Sequence, residues 1–186
     1  MPGIILVRHA TTSWTGHRYC GRSDPPLDDA GGAAAAELAH ELATTLALGT
    51  RIVTSPLLRA QATASAIAEA AGIASVTFDD RWREADFGIA EGLTFDELAR
   101  VRPELASRLA DGNTDIDWPG GERAAELSER VATAWQELLG AGDDVVVVSH
   151  AGPIRIAIGL ATGRKPGAAD LPGPGAVIRL PATVPR

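Results

Sequence analysis

The sequence predicts an α/β protein: a three-layer α/β/α domain with a mainly parallel central sheet. Residues 4–7 and 145–148 are short apolar runs that lack the polar alternation of a half-exposed strand. Such runs are typical of strands that are buried on both faces of a parallel sheet. Helical patterns separate the predicted strands, so we expect right-handed crossovers that place helices on both faces.

The predicted elements alternate along most of the chain. In chain order they are a strand at residues 4–7, a helix at 31–48, a strand at 51–54, a helix at 56–71, a strand at 74–78, helices at 94–101, 103–110 and 123–139, a strand at 145–148, a helix at 154–160 and a strand at 176–180. The first helix is predicted from its many alanines and leucines. The second has a start signal, because Ser55 is a favoured N-cap residue and Pro56 fits the first helical position.

Residues 86–121 interrupt this alternation. They contain two short helical patterns and lead into the loop DWPGGE at 117–122. We interpret residues 86–121 as a short helical cap inserted over the sheet, because they hold too few large apolar side chains for a core of their own. Residues 1–186 are therefore expected to form a single domain, with substrate specificity depending on the insertion.

The composition argues against several classes of partner. The chain has 17 Lys and Arg against 24 Asp and Glu, a formal charge of −7, so no basic surface indicates binding to nucleic acid or to an anionic membrane. The apolar runs are too short to span a bilayer, and the start does not resemble a signal peptide. The single cysteine, Cys20, fits a reducing compartment. We expect a cytoplasmic protein, and the sequence leaves its oligomeric state open.

Two of the four histidines directly follow predicted strands. His9 comes after residues 4–7 and Arg8, and His150 comes shortly after residues 145–148. In an open α/β sheet, ligands bind beyond the carboxyl ends of the strands. A single histidine at such a position is more often a structural ring. A pair at equivalent positions, with an arginine beside one of them, indicates a functional site.

Arg59 supplies a separate argument for an anion site. It lies in the first turn of its predicted helix, where the helix dipole favours acidic side chains. Helix N-termini bind phosphate through free N–H groups, and an arginine strengthens such a site. The alternative is a surface arginine that folds back over the helix. Arg8, Arg59 and two imidazoles together suit a phosphoryl group, whose charge is spread over three oxygens during transfer.

Six motifs in a fixed order carry a resemblance to a known family. They are RHATTSWT from Arg8, GRSDPPL from Gly21, SPLLRAQATA from Ser55, WREADFGIAEG from Trp82, PGGE from Pro119 and VVSHAG from Val147. On these motifs, residues 4–160 resemble the phosphoglycerate-mutase-like branch of the histidine phosphatase superfamily. The stretch RYCGRSDPPL is also similar to segments of α-ribazole phosphatases and of broad-specificity phosphatases.

The resemblance implies a role for each matching residue. His9 would be the nucleophile that forms a phosphohistidine. Arg8, Arg59 and His150 would hold the phosphoryl oxygens and stabilise their charge. Glu84 would protonate the leaving alcohol and then deprotonate the attacking water. Further substrate contacts would come from Thr15, Cys20, Gly21 and Ala151. The resemblance implies neither a cofactor nor a metal.

The chain departs from the family pattern close to the expected phosphate site. Ala10 and Ala151 stand where the family has glycine, Thr11 where it has glutamate and Thr15 where it has asparagine. The extra Cβ of Ala10 is compatible with the site if its backbone angles are ordinary. None of these changes removes a charged catalytic group, so an active enzyme is expected.

The leading hypothesis is a cofactor-independent phosphomonoesterase acting on a small phosphorylated metabolite. A phosphoglycerate-type mutase is the second hypothesis, because a phosphohistidine can return its phosphoryl group to another hydroxyl, although the short insertion favours hydrolysis. The third is a non-catalytic phosphate-binding protein on the same fold. A phosphohistidine-protein phosphatase and a metallohydrolase that uses His9, His150 and Asp24 are less favoured.

Three aromatic side chains are candidates to line an apolar substrate pocket. They are Trp14, Phe95 and Trp118. A position in the core is the alternative for each of them.

Overall fold

A computed structural model of the chain describes residues 3–181; the other residues of the predicted domain, 1, 2 and 182–186, lie outside the described part. The strands are β1 (Gly3–Arg8), β2 (Arg51–Thr54), β3 (Val76–Phe78), β4 (Val145–Ser149) and β5 (Val177–Pro181). The helices are α1 (Asp29–Ala43), α2 (Leu58–Ala71), α3 (Phe95–Val101), α4 (Pro103–Ala110), α5 (Ala124–Ala141) and α6 (Ala151–Thr162). No helix within residues 3–181 is long and apolar enough to cross a membrane.

The five strands form one sheet in the order β3-β2-β4-β1-β5. The first four of these are parallel to their neighbours, and β5 pairs with β1 in the antiparallel direction. The predicted α/β fold with a mainly parallel sheet is confirmed. The register of β1 and β4 pairs Arg8 with Ser149, so the next residues, His9 and His150, leave the sheet side by side.

Alternate residues of the central strand β4 face opposite helical layers. Val145 and Val147 pack with α5 and α6, whereas Val146 and Val148 pack with α1 and α2. All four valines are at most 1% exposed, as expected of a strand covered on both faces. The sheet therefore lies between two helical layers, which confirms the three-layer prediction.

The first helix ends earlier than predicted. It spans Asp29–Ala43, whereas the prediction extended it to residue 48. Thr44 and Thr45 follow it, and their hydroxyls donate to carbonyls three residues back at 2.8 and 3.0 Å. Threonine side chains that bond to the local backbone compete with continued helix, and two in succession end it here.

The predicted start of α2 is wrong. The helix begins at Leu58, with Leu57 in the capping position, three residues after the predicted cap Ser55. The Ser55 hydroxyl instead accepts the N–H of Leu57 at 3.3 Å and lies 2.8 Å from His150 Nε2. The carboxylate of Asp24 accepts the N–H of Leu58 at 2.7 Å. Asp24, from another part of the chain, therefore caps α2, and the Ser55 hydroxyl contacts His150 instead.

The other differences from the prediction concern the ends of elements. Strand β3 has three residues, from Val76 to Phe78, instead of five. Helix α6 begins at Ala151, three residues before the predicted start, which places His150 at its N-cap. Helix α5 spans Ala124–Ala141, close to the prediction.

The insertion at residues 86–121 carries α3 and α4 and does bury a small apolar cluster of its own. The fully buried members are Ala90, Leu98, Leu105 and Ile116. Phe87 and Trp118 pack against this cluster and also against the main core. The two ends of the insertion lie side by side, because the N–H of Glu122 donates to the Asp86 carbonyl at 2.9 Å.

The start of α1 packs directly against the chain that follows β1. Asp28 caps α1 by accepting the N–H of Gly31 at 2.6 Å, and the Thr11 hydroxyl donates to the same carboxylate at 2.8 Å. An added Cβ at Gly31 would lie 2.1 Å from the Thr11 carbonyl oxygen. At Gly32, by contrast, an added Cβ would meet no described atom within 4 Å.

We therefore expect opposite effects from two neighbouring substitutions. Gly31→Ala should lower the free energy of unfolding by about 1–3 kcal/mol, because the methyl group collides with backbone that cannot move freely. Gly32→Ala should raise it by up to about 1 kcal/mol, because alanine is the better helix former. Urea unfolding followed by circular dichroism measures both. An equal effect of the two substitutions would contradict the close approach of α1 to Thr11.

Candidate active site

The sheet brings the two predicted histidines into contact. The N–H of His9 donates to the Ser149 carbonyl at 3.0 Å, one residue before His150. The ring centroids of His9 and His150 are 5.0 Å apart, with their planes inclined by 58°. Two positions that are equivalent in the sequence pattern are therefore neighbours at the carboxyl edge of the sheet.

The surroundings of His9 fix its protonation. The Ala10 carbonyl lies 2.6 Å from Nδ1, and because a carbonyl can only accept, Nδ1 carries the ring proton. Nε2 then has the lone pair, to which the Arg59 Nε–H donates at 3.3 Å. Burial, together with the charges of Arg59 and Arg8, lowers the pKa of His9 to about 3. At neutral pH the ring is a neutral imidazole, the form that can attack an electrophile once its Nε2 lone pair is released from the Arg59 Nε–H.

Arg59 is fixed by the loop that precedes α1. It is the second residue of α2, and its side chain is 1% exposed. Its Nη2 donates to the Gly21 carbonyl and its Nη1 to the Ser23 carbonyl, each at 2.7 Å. The carboxylate of Asp24 lies 3.7 Å from Nη1. Asp24 therefore provides part of the negative charge expected beside an arginine at this helix end, and Arg59 does not fold back over the surface.

Glu91 in the insertion holds the loop that holds Arg59. Its carboxylate accepts the N–H groups of Arg22 and Ser23 at 2.7 Å each and the Ser23 hydroxyl at 2.6 Å. At Gly21, which has φ +52°, an added Cβ would lie 2.3 Å from Glu91 Oε1. Sequence reasoning missed Glu91. Its place near the end of the fourth motif was the available signal.

His150 is more deeply buried than the sequence suggested. Its Nε2 lies 2.8 Å from the Ser55 hydroxyl, whereas its Nδ1 is buried without a hydrogen-bond partner among residues 3–181. Burial, with smaller contributions from the charges of His9 and Arg59, lowers its pKa well below the usual value. A buried ring nitrogen without a hydrogen-bond partner costs free energy in folding.

Glu84 reaches the site from an irregular segment. It follows the short 3₁₀ turn Asp80–Trp82 and is 8% exposed. Its carboxylate accepts the N–H groups of Ala85 and Gly152 at 3.0 and 3.3 Å. An added Cβ at Gly152 would lie 2.4 Å from Glu84 Oε1. The glycine after Ala151 therefore leaves room for the carboxylate at the start of α6.

Arg130 holds the backbone that carries Glu84. Its guanidinium donates to the carbonyls of Arg81, Arg83 and Glu84 at 2.7, 2.8 and 3.1 Å. Glu122 accepts from Arg130 Nε and Nη2 at 2.6 and 2.8 Å. Sequence reasoning missed this pair. The PGGE motif pointed to Glu122, but no local pattern distinguishes Arg130 from other polar residues of α5.

A cavity of about 300 Å³ opens at these side chains. The predicted site residues that line it are Arg8, His9, Thr15, Cys20, Gly21, Arg59, Glu84 and Ala151. His150 is fully buried and is not among them. Arg8 donates through Nη1 to the Pro172 carbonyl at 2.7 Å, and its buried Nε has no partner within the described residues. Burial lowers the pKa of Arg8.

The positions that depart from the family pattern fit the site without strain. Ala10 has ordinary backbone angles, since within residues 3–181 only glycines have positive φ, and its N–H donates to the Thr63 hydroxyl at 3.2 Å. Thr15 lines the cavity, and its hydroxyl accepts the N–H of Thr12 at 2.9 Å. Burial raises the pKa of the Cys20 thiol, which keeps it protonated.

Aromatic side chains form part of the cavity wall. Trp14 and Trp118 line the cavity, and Phe87 stacks on Trp118 with ring centroids 4.1 Å apart. Phe95 is 44% exposed and does not line it. Of the three aromatic candidates, two therefore contribute to the wall, whereas Phe95 belongs neither to the wall nor to the core.

The three residues of the metallohydrolase hypothesis serve other contacts. Asp24 bonds to the start of α2 and pairs with Arg59, while His9 and His150 bond to a carbonyl and a hydroxyl. In the part of the chain that the structure describes, no group of three or more His, Cys, Asp or Glu side chains is arranged to hold a metal ion.

Comparison with known proteins agrees with this geometry. A probable phosphoglycerate mutase of Salmonella choleraesuis is 38% identical over 150 residues, which cover 79% of this chain and 68% of the relative. The structure of a mycobacterial glucosyl-3-phosphoglycerate phosphatase in complex with VO₃ matches with a TM-score of 0.83 at 26% identity, over 96% of this chain and 90% of the other. A putative alpha-ribazole-5'-P phosphatase of Escherichia coli K-12 matches with a TM-score of 0.76 at 25% identity, over 88% and 80% of the two chains.

The family is shown by a match that covers nearly the whole chain. The profile of the histidine phosphatase superfamily (branch 1) matches residues 4–176, from within β1 to the residue before β5. This range contains all six motifs and every residue of the cavity described above. The chain belongs to branch 1 of the histidine phosphatase superfamily.

Proposed function

We propose that the protein is a phosphomonoesterase that hydrolyses a small phosphorylated metabolite through a phosphohistidine on His9. The observation that carries the proposal is the state of His9. Its ring is neutral, its proton is fixed on Nδ1 by the Ala10 carbonyl, and its Nε2 lone pair lies at a cavity that Arg8 and Arg59 also line. A nucleophile beside two cations suits attack on a phosphoryl group.

In the first step, His9 Nε2 attacks phosphorus in line with the leaving oxygen, so that a P–N bond forms as the P–O bond breaks. Arg8 and Arg59 stabilise the charge on the other three oxygens. The Arg59 Nε–H is 3.3 Å from His9 Nε2, within reach of a phosphoryl oxygen carried on that nitrogen. With the Ser55 hydroxyl donating to His150 Nε2, Nδ1 of His150 carries a proton. We assign this N–H to the same phosphoryl group because it has no partner among the described residues, although His150 is not one of the residues that line the cavity.

Glu84 transfers the protons. In its protonated form it donates to the leaving alkoxide, which departs as an alcohol. The resulting carboxylate then takes a proton from water as the water attacks the phosphohistidine. This second step breaks the P–N bond, releases inorganic phosphate and restores neutral His9 and protonated Glu84. The hydrogen bonds from the N–H groups of Ala85 and Gly152, at 3.0 and 3.3 Å, keep the carboxylate in place for both steps.

The cavity supports a small substrate. Its volume of about 300 Å³ is at the lower end for small-molecule sites. Leu109, Ile116 and Trp118 from residues 86–121 line it, so the insertion acts as a cap within a single domain. Related proteins named as phosphatases of phosphorylated metabolites agree with this substrate class.

A phosphoglycerate-type mutase is the second candidate, and the name of the Salmonella relative favours it. A mutase needs the intermediate alcohol to stay bound while the phosphoryl group returns to another hydroxyl. The same His9 chemistry serves both reactions, so only the fate of the phosphoryl group separates them.

Substitution of the proposed nucleophile tests the mechanism. We expect the wild-type protein to hydrolyse p-nitrophenyl phosphate and His9→Ala to lose at least about 10³-fold in kcat. His40→Ala, which removes an exposed histidine of α1, is the matched control and should keep full activity. Hydrolysis by His9→Ala at the wild-type rate would contradict the proposal. Retained phosphate binding without any wild-type turnover would favour a non-catalytic protein.

The role of Glu84 predicts a dependence on the leaving group. Glu84→Gln should reduce kcat/KM for glycerol 3-phosphate by about 10²–10⁴-fold, because an alkoxide needs a proton to depart. The loss should be at least tenfold smaller with p-nitrophenyl phosphate, since p-nitrophenolate is a stable anion. Initial rates of phosphate release give both values, with exposed Glu69→Gln as the control. Equal losses for the two substrates would exclude Glu84 as the general acid.

A product analysis separates hydrolysis from mutase activity. With 3-phosphoglycerate, we expect release of inorganic phosphate, with isomer formation at less than about one tenth of that rate, because water completes the reaction. The assay is run with and without 2,3-bisphosphoglycerate, which would prime a mutase. Isomerisation faster than phosphate release in the presence of the primer would establish the mutase instead.

A further inference from the structure

The cavity carries more positive charge than one phosphoryl group requires. Its charged lining residues are Arg8, Arg18, Arg59, Arg155 and Glu84. Four cations therefore face one carboxylate, within a chain whose formal charge is −7. A concentration of cations in an acidic protein marks the place where a strongly anionic ligand binds.

Arg8 and Arg59 are assigned to the phosphoryl group, and Arg18 has a partner of its own. Arg18 lies 3.2 Å from Glu97, and both side chains are 42% exposed. Solvent and the ion pair therefore compensate its charge. Arg155 remains as the cation that the proposed reaction does not use, and its one ion pair, with Asp115, is long at 3.5 Å.

Arg155 lies in the wall of the cavity, about one helical turn after the N-terminus of α6, where His150 is the N-cap. Ala151, the first residue of α6, lines the cavity, and Arg155 lines it four residues later. Residues four apart lie on the same face of a helix, about 6 Å apart along its axis. Arg155 is 4% exposed, so its guanidinium is buried at a fixed distance from the phosphoryl site.

The existing bonds of Arg155 are long and leave donors unused. Its Nη1 donates to the Pro166 carbonyl at 3.2 Å, and its Nη2 lies 3.3 Å from the Thr114 carbonyl and 3.5 Å from Asp115. Asp115 has a nearer cation in Lys165, at 3.0 Å. Among the described residues no partner meets the Nε–H of Arg155. A guanidinium has five donors in a planar fork that suits a carboxylate or phosphate.

We propose that Arg155 binds a second anionic group of the substrate, a carboxylate or a second phosphate, while the reacting phosphoryl group occupies the site at His9. This proposal rests on the proposed phosphatase function. It narrows the substrate class from phosphomonoesters in general to small metabolites that carry two anionic groups. Arg155 then determines specificity and takes no part in the chemical step.

Two matched pairs of compounds test the proposal with the wild-type protein. 3-Phospho-D-glycerate and sn-glycerol 1-phosphate differ only in a carboxylate against a hydroxymethyl group. Fructose 1,6-bisphosphate and fructose 6-phosphate differ in a second phosphate. We expect kcat/KM to be at least tenfold higher for the doubly anionic member of one pair, and the pair that shows this preference identifies the second group. Preferences below threefold in both pairs would overturn the proposal.

Substitution of Arg155 then tests whether it causes the preference. Arg155→Met should reduce the preference at least fivefold. Arg51→Met also removes one positive charge, at the start of β2 and so at the opposite edge of the sheet, and should leave the preference unchanged. If Arg155 only tethered Thr114 and Pro166, Arg155→Met would lower kcat/KM equally for both members of a pair. That result would overturn the proposal. If Arg155→Met does not fold, Arg155→Lys is measured in its place. Lysine keeps the charge but lacks the planar set of donors, so the preference in kcat/KM should fall at least threefold.

Binding measurements keep this result separate from the proposed reaction. The same four compounds are titrated by calorimetry into His9→Ala, which still contains Arg155. The ratio of dissociation constants within each pair reports the second anion site even if no turnover is found. A wild-type protein without phosphatase activity but with a tenfold binding preference would refute the proposed function and support the anion site. Turnover without any preference in rate or binding would support the proposed function and refute the anion site.

Discussion

The parallel pairing of β1 with β4 is the constraint on which the rest of the site depends. Because the register matches Arg8 with Ser149, the two strands end at the same level, and His9 and His150 follow as neighbours. Both strands are covered on each face by helices, so a slip of one residue would exchange the side chains that pack against the two helical layers. The core thereby fixes two imidazole rings 5.0 Å apart.

The remaining functional groups reach this edge through side-chain contacts between distant segments. Glu91 holds the loop whose carbonyls fix Arg59, and the Arg130–Glu122 pair holds the backbone that carries Glu84. Arg59 and Glu84 are thus positioned by Glu91 within the insertion, by Glu122 directly after it and by Arg130 of α5. In this architecture the cap shapes the cavity and also sets the geometry of the proposed chemistry.

Short sequence patterns predicted the elements that depend on neighbouring residues, and they missed contacts between residues distant in sequence. The buried strands could be recognised because apolar β-branched runs have few other structures available, and the histidine pair followed from where those strands end. Ser55 was wrongly predicted as the N-cap of α2. Its hydroxyl contacts His150 instead, and a contact with a residue so distant in sequence has no local signal. Arg130 and Arg155 could not be found for the same reason. Most of their hydrogen bonds go to backbone carbonyls, which have no sequence signature.

The hydrogen bond between Glu122 and Asp86 closes the insertion at its base. In terms of chain entropy, residues 86–121 form a loop whose two ends are held together at its base. The cost of closing a flexible loop rises by only about 0.6 kcal/mol for each doubling of its length. The sheet and its histidines can therefore carry cap segments of quite different length and composition. The base of the cap is a natural boundary for exchanging one cavity wall for another, provided that the new segment keeps a carboxylate at Glu91 to hold the loop that fixes Arg59.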